Sequence, residues 1–150
     1  MLRSLSQPIE VRGSSSTDDR GALKFINDLD LSEVKRFYTV ENHEVGFIRA
    51  WHAHKNESKI LIAIEGSILA CAVRVSNFSS PSKSEEITRV ILDSNSPSAL
   101  LVPSNYANGF MTLTPGAKLL VLSNSTLEES KSDDYRYSFD YWNPWEIEYR

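Results

Sequence analysis

Residues 46–66 read Gly46-Phe47-Ile48-Arg49-Ala50-Trp51-His52-Ala53-His54, then Lys55-Asn56-Glu57-Ser58, then Lys59-Ile60-Leu61-Ile62-Ala63-Ile64-Glu65-Gly66. Two short apolar runs, rich in β-branched and aromatic residues, flank four polar residues and are bounded by glycines, which predicts two strands and not a helix. Along a strand, side chains at i and i+2 share a face, so His52 and His54 are expected to point the same way, beside Ala50 and opposite Trp51 and Ala53. Lys59 opens the following strand and is expected to face the same side, so that two imidazoles and an ammonium share one pocket. Arg49 is one residue out of phase with His52; it either points outward or reaches a ligand phosphate near the pocket mouth through its bidentate guanidinium. A bare His-x-His on a strand serves equally as a pair of surface histidines, and a lysine at a strand start is most often solvated.

The same pattern extends over the chain. Residues 35–40, 67–75, 88–92, 99–102, 109–113 and 118–123 read as further strands, separated by Asn, Gly, Pro and Ser turns at 41–44, 65–66, 77–83, 93–98, 104–105 and 114–116. Many short strands and no long helix predict an all-β sandwich or barrel. The Ser14-Ser15-Ser16-Thr17 run reads as a loop, and residues 127–134 as a loop or a single helical turn. The segment 135–150 carries four tyrosines and two tryptophans, an aromatic load expected to pack back on the barrel or on a partner subunit. With 150 residues the expectation is one domain over 1–150, partly mobile over 1–18. A net charge of -4 without a basic run excludes a broad nucleic-acid surface. The single Cys71, the lack of a hydrophobic leader and the lack of an 18-residue apolar run point to a cytoplasmic protein that does not enter the membrane.

The spacing from Gly46 through His52, His54 and Lys59 to Gly66 resembles the first motif of the cupin superfamily, and Pro103-Ser104-Asn105-Tyr106-Ala107-Asn108-Gly109-Phe110 resembles the second. The resemblance implies a double-stranded β-helix, the jelly-roll barrel. Metal cupins place a glutamate ligand where Lys59 stands and a histidine ligand where Asn108 stands. A protonated lysine cannot ligate, and an amide is a poor ligand for the metals that imidazole favours. Two histidines alone under-coordinate zinc unless Glu57 or another group joins them, so no metal and no other cofactor is expected.

A closer resemblance follows the chain in order. Asp19-Arg20-Gly21, Arg49-Ala50-Trp51-His52, Lys59-Ile60, Leu101-Val102-Pro103, Ala107-Asn108-Gly109-Phe110 and Trp142-Asn143-Pro144 look like the dTDP-4-dehydrorhamnose 3,5-epimerases. Lys35-Arg36-Phe37-Tyr38, and Arg49 through Lys55, are similar to the dTDP-sugar 3,4-ketoisomerases. Both groups are cupins acting on nucleotide-linked 4-keto-6-deoxy sugars, in deoxysugar or surface-polysaccharide biosynthesis, and both form homodimers. The resemblance implies that His52 removes a proton beside the ketone, that Lys59 stabilises the enolate, and that Arg20 and Arg49 hold the diphosphate. Asn108 and Asn143 join them as expected substrate contacts, and His54 as a second proton-transfer group that favours isomerisation. The epimerase pattern has its tyrosine acid where Val121 stands and an aspartate where Asn143 stands, so Tyr38 or Tyr106 is the candidate acid. Two other readings remain: a non-catalytic cupin that binds a sugar nucleotide or glycan, and a metal-dependent cupin oxygenase.

Overall fold

The computed structural model describes residues 1–150. The strands are β1 (Ile9–Arg12), β2 (Ser14–Asp18), β3 (Gly21–Phe25), β4 (Arg36–Glu41), β5 (Ile48–His54), β6 (Lys59–Glu65), β7 (Ser67–Arg74), β8 (Ile87–Asp93), β9 (Ser98–Val102), β10 (Tyr106–Thr112), β11 (Lys118–Ser123) and β12 (Tyr135–Arg136). One five-stranded sheet runs β1-β9-β6-β11-β4, the other β12-β5-β10-β7-β8, and all pairings are antiparallel. This is the all-β jelly-roll sandwich expected of a cupin. The Ser14–Thr17 run, read as a loop, instead forms β2, which pairs only with β3. No apolar alternation marks this exposed hairpin, so nothing in its composition announces strands.

Three apolar layers explain why several strands are apolar on both faces and not alternating. Leu61, Leu100, Val102, Leu119 and Val121 of the first sheet meet Ile68, Ala70, Ala72 and Phe110 of the second between the sheets. Outside the first sheet, Ile60, Ala99 and Leu101 pack under Leu2. Outside the second, Trp51, Ala53 and Cys71 are covered by Trp142 and Trp145. The aromatic segment thus lies on its own barrel. Trp51 donates its indole N–H to the carbonyls of Phe139 and Trp142, and Trp142 donates to that of Ser82. Tyr137 and Tyr141 cap the carbonyls of Phe78 and Pro81. Every polar tip on these rings has a partner, which removes the cost of burying them. No helix is long and apolar enough to cross a membrane.

Candidate active site

A cavity of about 110 Å³ opens between the sheets, lined on one wall by Arg49, His52, Asn108 and Phe110 and on the other by Tyr38, Lys59 and Val121. β5 and β6 belong to different sheets, so the polar loop 55–58 carries the chain across and His52 and Lys59 face the space from opposite walls. Arg49 and His52 are three residues apart and would alternate faces in a regular strand. A bulge resets the phase: Asn108 pairs with His52, yet Phe110 pairs with Arg49, so Ala50 and Trp51 together oppose Gly109. Ala50 therefore joins Trp51 on the outer face and does not stand beside His52, as a regular strand would require. Glycine is needed at 109 because a Cβ there would lie 2.6 Å from that of Ala50.

His52 is half-buried, and its Nδ1 lies 4.0 Å from an Asp134 oxygen. Burial, with the positive charges of Lys59 and Arg136, outweighs Asp134 and pulls the imidazole from 6.5 down to about 4. His52 is accordingly neutral at pH 7 and able to take a proton. Lys59 is almost fully buried. No carboxylate approaches its ammonium within ion-pairing distance, and that charge therefore remains open to an anionic group in the cavity. Asn108 donates from Nδ2 to the His52 carbonyl at 3.2 Å, so the amide ties β10 to β5 at the histidine.

His54 lies outside the cavity lining. Its Nδ1 is 2.6 Å from the Asp133 carbonyl and 3.3 Å from Glu57, and its Nε2 is buried without a partner. Burial and Lys59 lower its pKa against the opposing pull of Glu57, so it too is neutral, with the proton on Nδ1 facing the carbonyl. The loop between the histidines and Lys59 is held from α1 (Leu127–Lys131), whose N-terminus carries a capping box of Thr126 and Glu129. Asp133, just beyond α1, accepts from the backbone N–H groups of Lys55, Asn56 and Glu57. Glu57, with a fully buried side chain, accepts from Arg36 at 2.8 Å, Ser123 at 2.5 Å and Ser130 at 2.8 Å. Burial opposes its charge, but Lys59, His54 when protonated, and the hydroxyls of Ser123 and Ser130 overcome it and keep the carboxyl below its ordinary range.

The structure brings His52, Lys59, Arg49, Asn108 and Tyr38 together. It leaves four expected residues elsewhere, His54 beside Asp133 and Glu57 and three others. Arg20 sits on the β2–β3 hairpin, exposed and held by Asp18. Tyr106 pairs with His54 in register but lines a rim beside Arg74 and Thr88. Asn143 is exposed on the far side of the second sheet, between Trp142 and Pro144, because the indoles carry the segment to the outer face. Asp134, not a residue near Asn143, is the carboxylate beside His52. Sequence reading missed Asp133, Asp134 and Asn42, all in segments read as loop or turn; Tyr38 pairs with Val121 in register, which places a phenol next to the position where the acid was sought. No group of three or more His, Cys, Asp or Glu side chains converges on a point that suits a metal.

Solved structures share the fold. A 3,4-ketoisomerase from Helicobacter canadensis is 24% identical, with a TM-score of 0.65 over 89% of this chain and 93% of that one. QdtA, a sugar 3,4-ketoisomerase from Thermoanaerobacterium thermosaccharolyticum solved with TDP, is 20% identical, with a TM-score of 0.67 over 91% and 93%. The rmlC epimerase of Mycobacterium tuberculosis is 16% identical, with a TM-score of 0.71 over 89% and 71%. No curated protein sequence matches the chain. Residues 8–144 match the FdtA family, described as WxcM-like, C-terminal, so with nearly its whole length accounted for the chain belongs to that family.

Proposed function

We propose that this protein is a sugar-nucleotide isomerase, working without a metal on a dTDP-linked 4-keto-6-deoxy sugar and moving the ketone from C4 to C3. The observation that carries this reading is a neutral imidazole, His52, facing an unpaired ammonium, Lys59, across one cavity. In the first step the C3–H bond breaks, its proton passes to His52, and its electron pair forms the C3–C4 double bond of an enediolate. Lys59 stabilises the oxygen that gains charge, the situation in which a fixed cation lowers a barrier most. The proton held by His52 then returns to C4, and the C3 hydroxyl proton passes to the C4 oxygen, so that C3 becomes the ketone and C4 the alcohol. Arg49 is positioned to hold the diphosphate, and Asn108 to fix the base. The ketoisomerases among the similar structures, with Val121 on the wall where an epimerase acid would stand, support isomerisation. The exposed β2–β3 hairpin and the bare apolar surfaces of Leu23 and Phe37 support a homodimer. The thiol of Cys71, buried and pushed up to about 12, suits a cytoplasmic setting without being reactive.

A second reading, 3-epimerisation, is favoured by Tyr38, a phenol on the wall opposite His52 that can protonate the other face of the sugar. Incubation with the keto sugar nucleotide in deuterated water, followed by NMR, separates the two. A carbonyl moved to C3 supports the isomerase. Deuterium at C3 with inverted configuration and an unmoved ketone supports the epimerase, and an unchanged sugar refutes both.

A further inference from the structure

Asn42 follows β4 in a segment whose composition reads as a turn, yet it is 7% exposed. Its Nδ2 donates to Thr112 Oγ1 at 2.9 Å, and its Oδ1 accepts from Arg49 Nε at 2.7 Å. Thr112 ends β10, the strand against which the β5 bulge turns Arg49 into the cavity, so one amide ties the guanidinium to the partner of its own strand. Arg49 is in no ion pair; Asn42 Oδ1 is its one side-chain partner. With Nε occupied, the two terminal nitrogens remain free, and that pair matches two oxygens of a phosphate. A carboxylate at position 42 would grip Nε equally well but would cancel the charge that an anion needs.

We propose that Asn42 is a positioning residue for anion binding: a buried neutral amide that aims Arg49 through Nε while leaving its charge unpaired for the diphosphate of the substrate. The inference rests on the substrate class proposed above. A side chain already held in place loses less freedom when the ligand arrives, which raises affinity without touching the chemical step. The signature is a change in KM with kcat preserved.

The test is calorimetric titration of dTDP into the wild type, Asn42→Ala, Asn42→Asp, Thr112→Val and Arg49→Ala, with thermal melts and steady-state kinetics on each. Asn42→Ala is expected to bind dTDP roughly tenfold more weakly, the size of a lost hydrogen bond to a charged group, with a matching rise in KM. Asn42→Asp is expected to bind weakly as well, because the carboxylate neutralises Arg49, and Thr112→Val to move the same way by less. Wild-type dTDP affinity in Asn42→Ala or in Asn42→Asp overturns the proposal, as does a loss confined to kcat. If Arg49→Ala itself leaves dTDP binding intact, the substrate reading has failed and Asn42 with it. If Arg49→Ala weakens binding and Asn42→Ala does not, the positioning role alone is wrong.

Discussion

Replacing Gly109 by alanine tests whether the β5 bulge builds the site. The added Cβ would fall 2.6 Å from the Cβ of Ala50, 3.1 Å from the Arg49 carbonyl oxygen and 3.2 Å from Ala50 Cα. Carbon atoms rest about 3.5–4.0 Å apart, so the two strands must separate by roughly 1 Å at a point paired on both sides of β10. Overpacking of this kind costs about 1–3 kcal/mol. At the ~2–4 °C per kcal/mol of a chain this size, Tm should fall by roughly 2–12 °C. The same displacement moves Arg49 and His52, and a misplacement near 1 Å can cost about 10²-fold in rate. Ala50→Gly removes the obstructing carbon at a cost of about 0.5–1 kcal/mol. The double variant should therefore melt above Gly109→Ala, with a coupling of about 1–2 kcal/mol recovered. Thermal unfolding and kcat/KM of the four proteins decide it. Wild-type melting and activity in Gly109→Ala, or strictly additive effects in the double variant, would refute the account of the bulge.

Trp142→Ala removes a ring set edge-on to Trp51 at 5.4 Å and frees the Ser82 carbonyl, and should lower stability by about 3–5 kcal/mol in denaturant unfolding. Lys59→Met should retain cooperative unfolding while kcat falls by about 10²–10³, the loss expected when a preorganised charge at a developing oxyanion is removed. The pH profile follows from His52, whose folded pKa is depressed. The base is neutral above that value, so the acid limb of kcat/KM should lie near 4 and not near 6.5. The stability contributed by keeping His52 neutral is complete above 6.5 and is lost as pH falls toward about 4, which pH-dependent melts can follow.

The fold was legible because its strands carry β-branched runs punctuated by turn residues, and residues 48–54 and 59–65 became β5 and β6 almost as read. The β2–β3 hairpin was not, since its exposed serines bury nothing that periodicity can register. His52 and Lys59 converge in the cavity as the spacing suggests. The placement of Arg49 was left open because face assignment assumes an unbroken period of two, and a bulge is invisible until Gly109 is seen against Ala50. Asn143 was expected in the site from the epimerase pattern, which has an aspartate at its position; the indoles of Trp142 and Trp145, which find their partners on the outer face, carry it there instead. Asp133 and Glu57 were hidden for another reason. Their roles depend on α1 meeting the loop after β5, a contact between segments more than seventy residues apart.

The proposed reaction depends on removal of the proton beside the ketone by His52. It is tested most directly by the rate of solvent deuterium entry into the keto sugar nucleotide, followed by NMR for the wild type and for His52→Asn, with dTDP affinity measured in parallel. Exchange is expected in the wild type, with its loss by more than about 10²-fold in His52→Asn and retained dTDP binding in both. Exchange that persists at the wild-type rate in His52→Asn would contradict it.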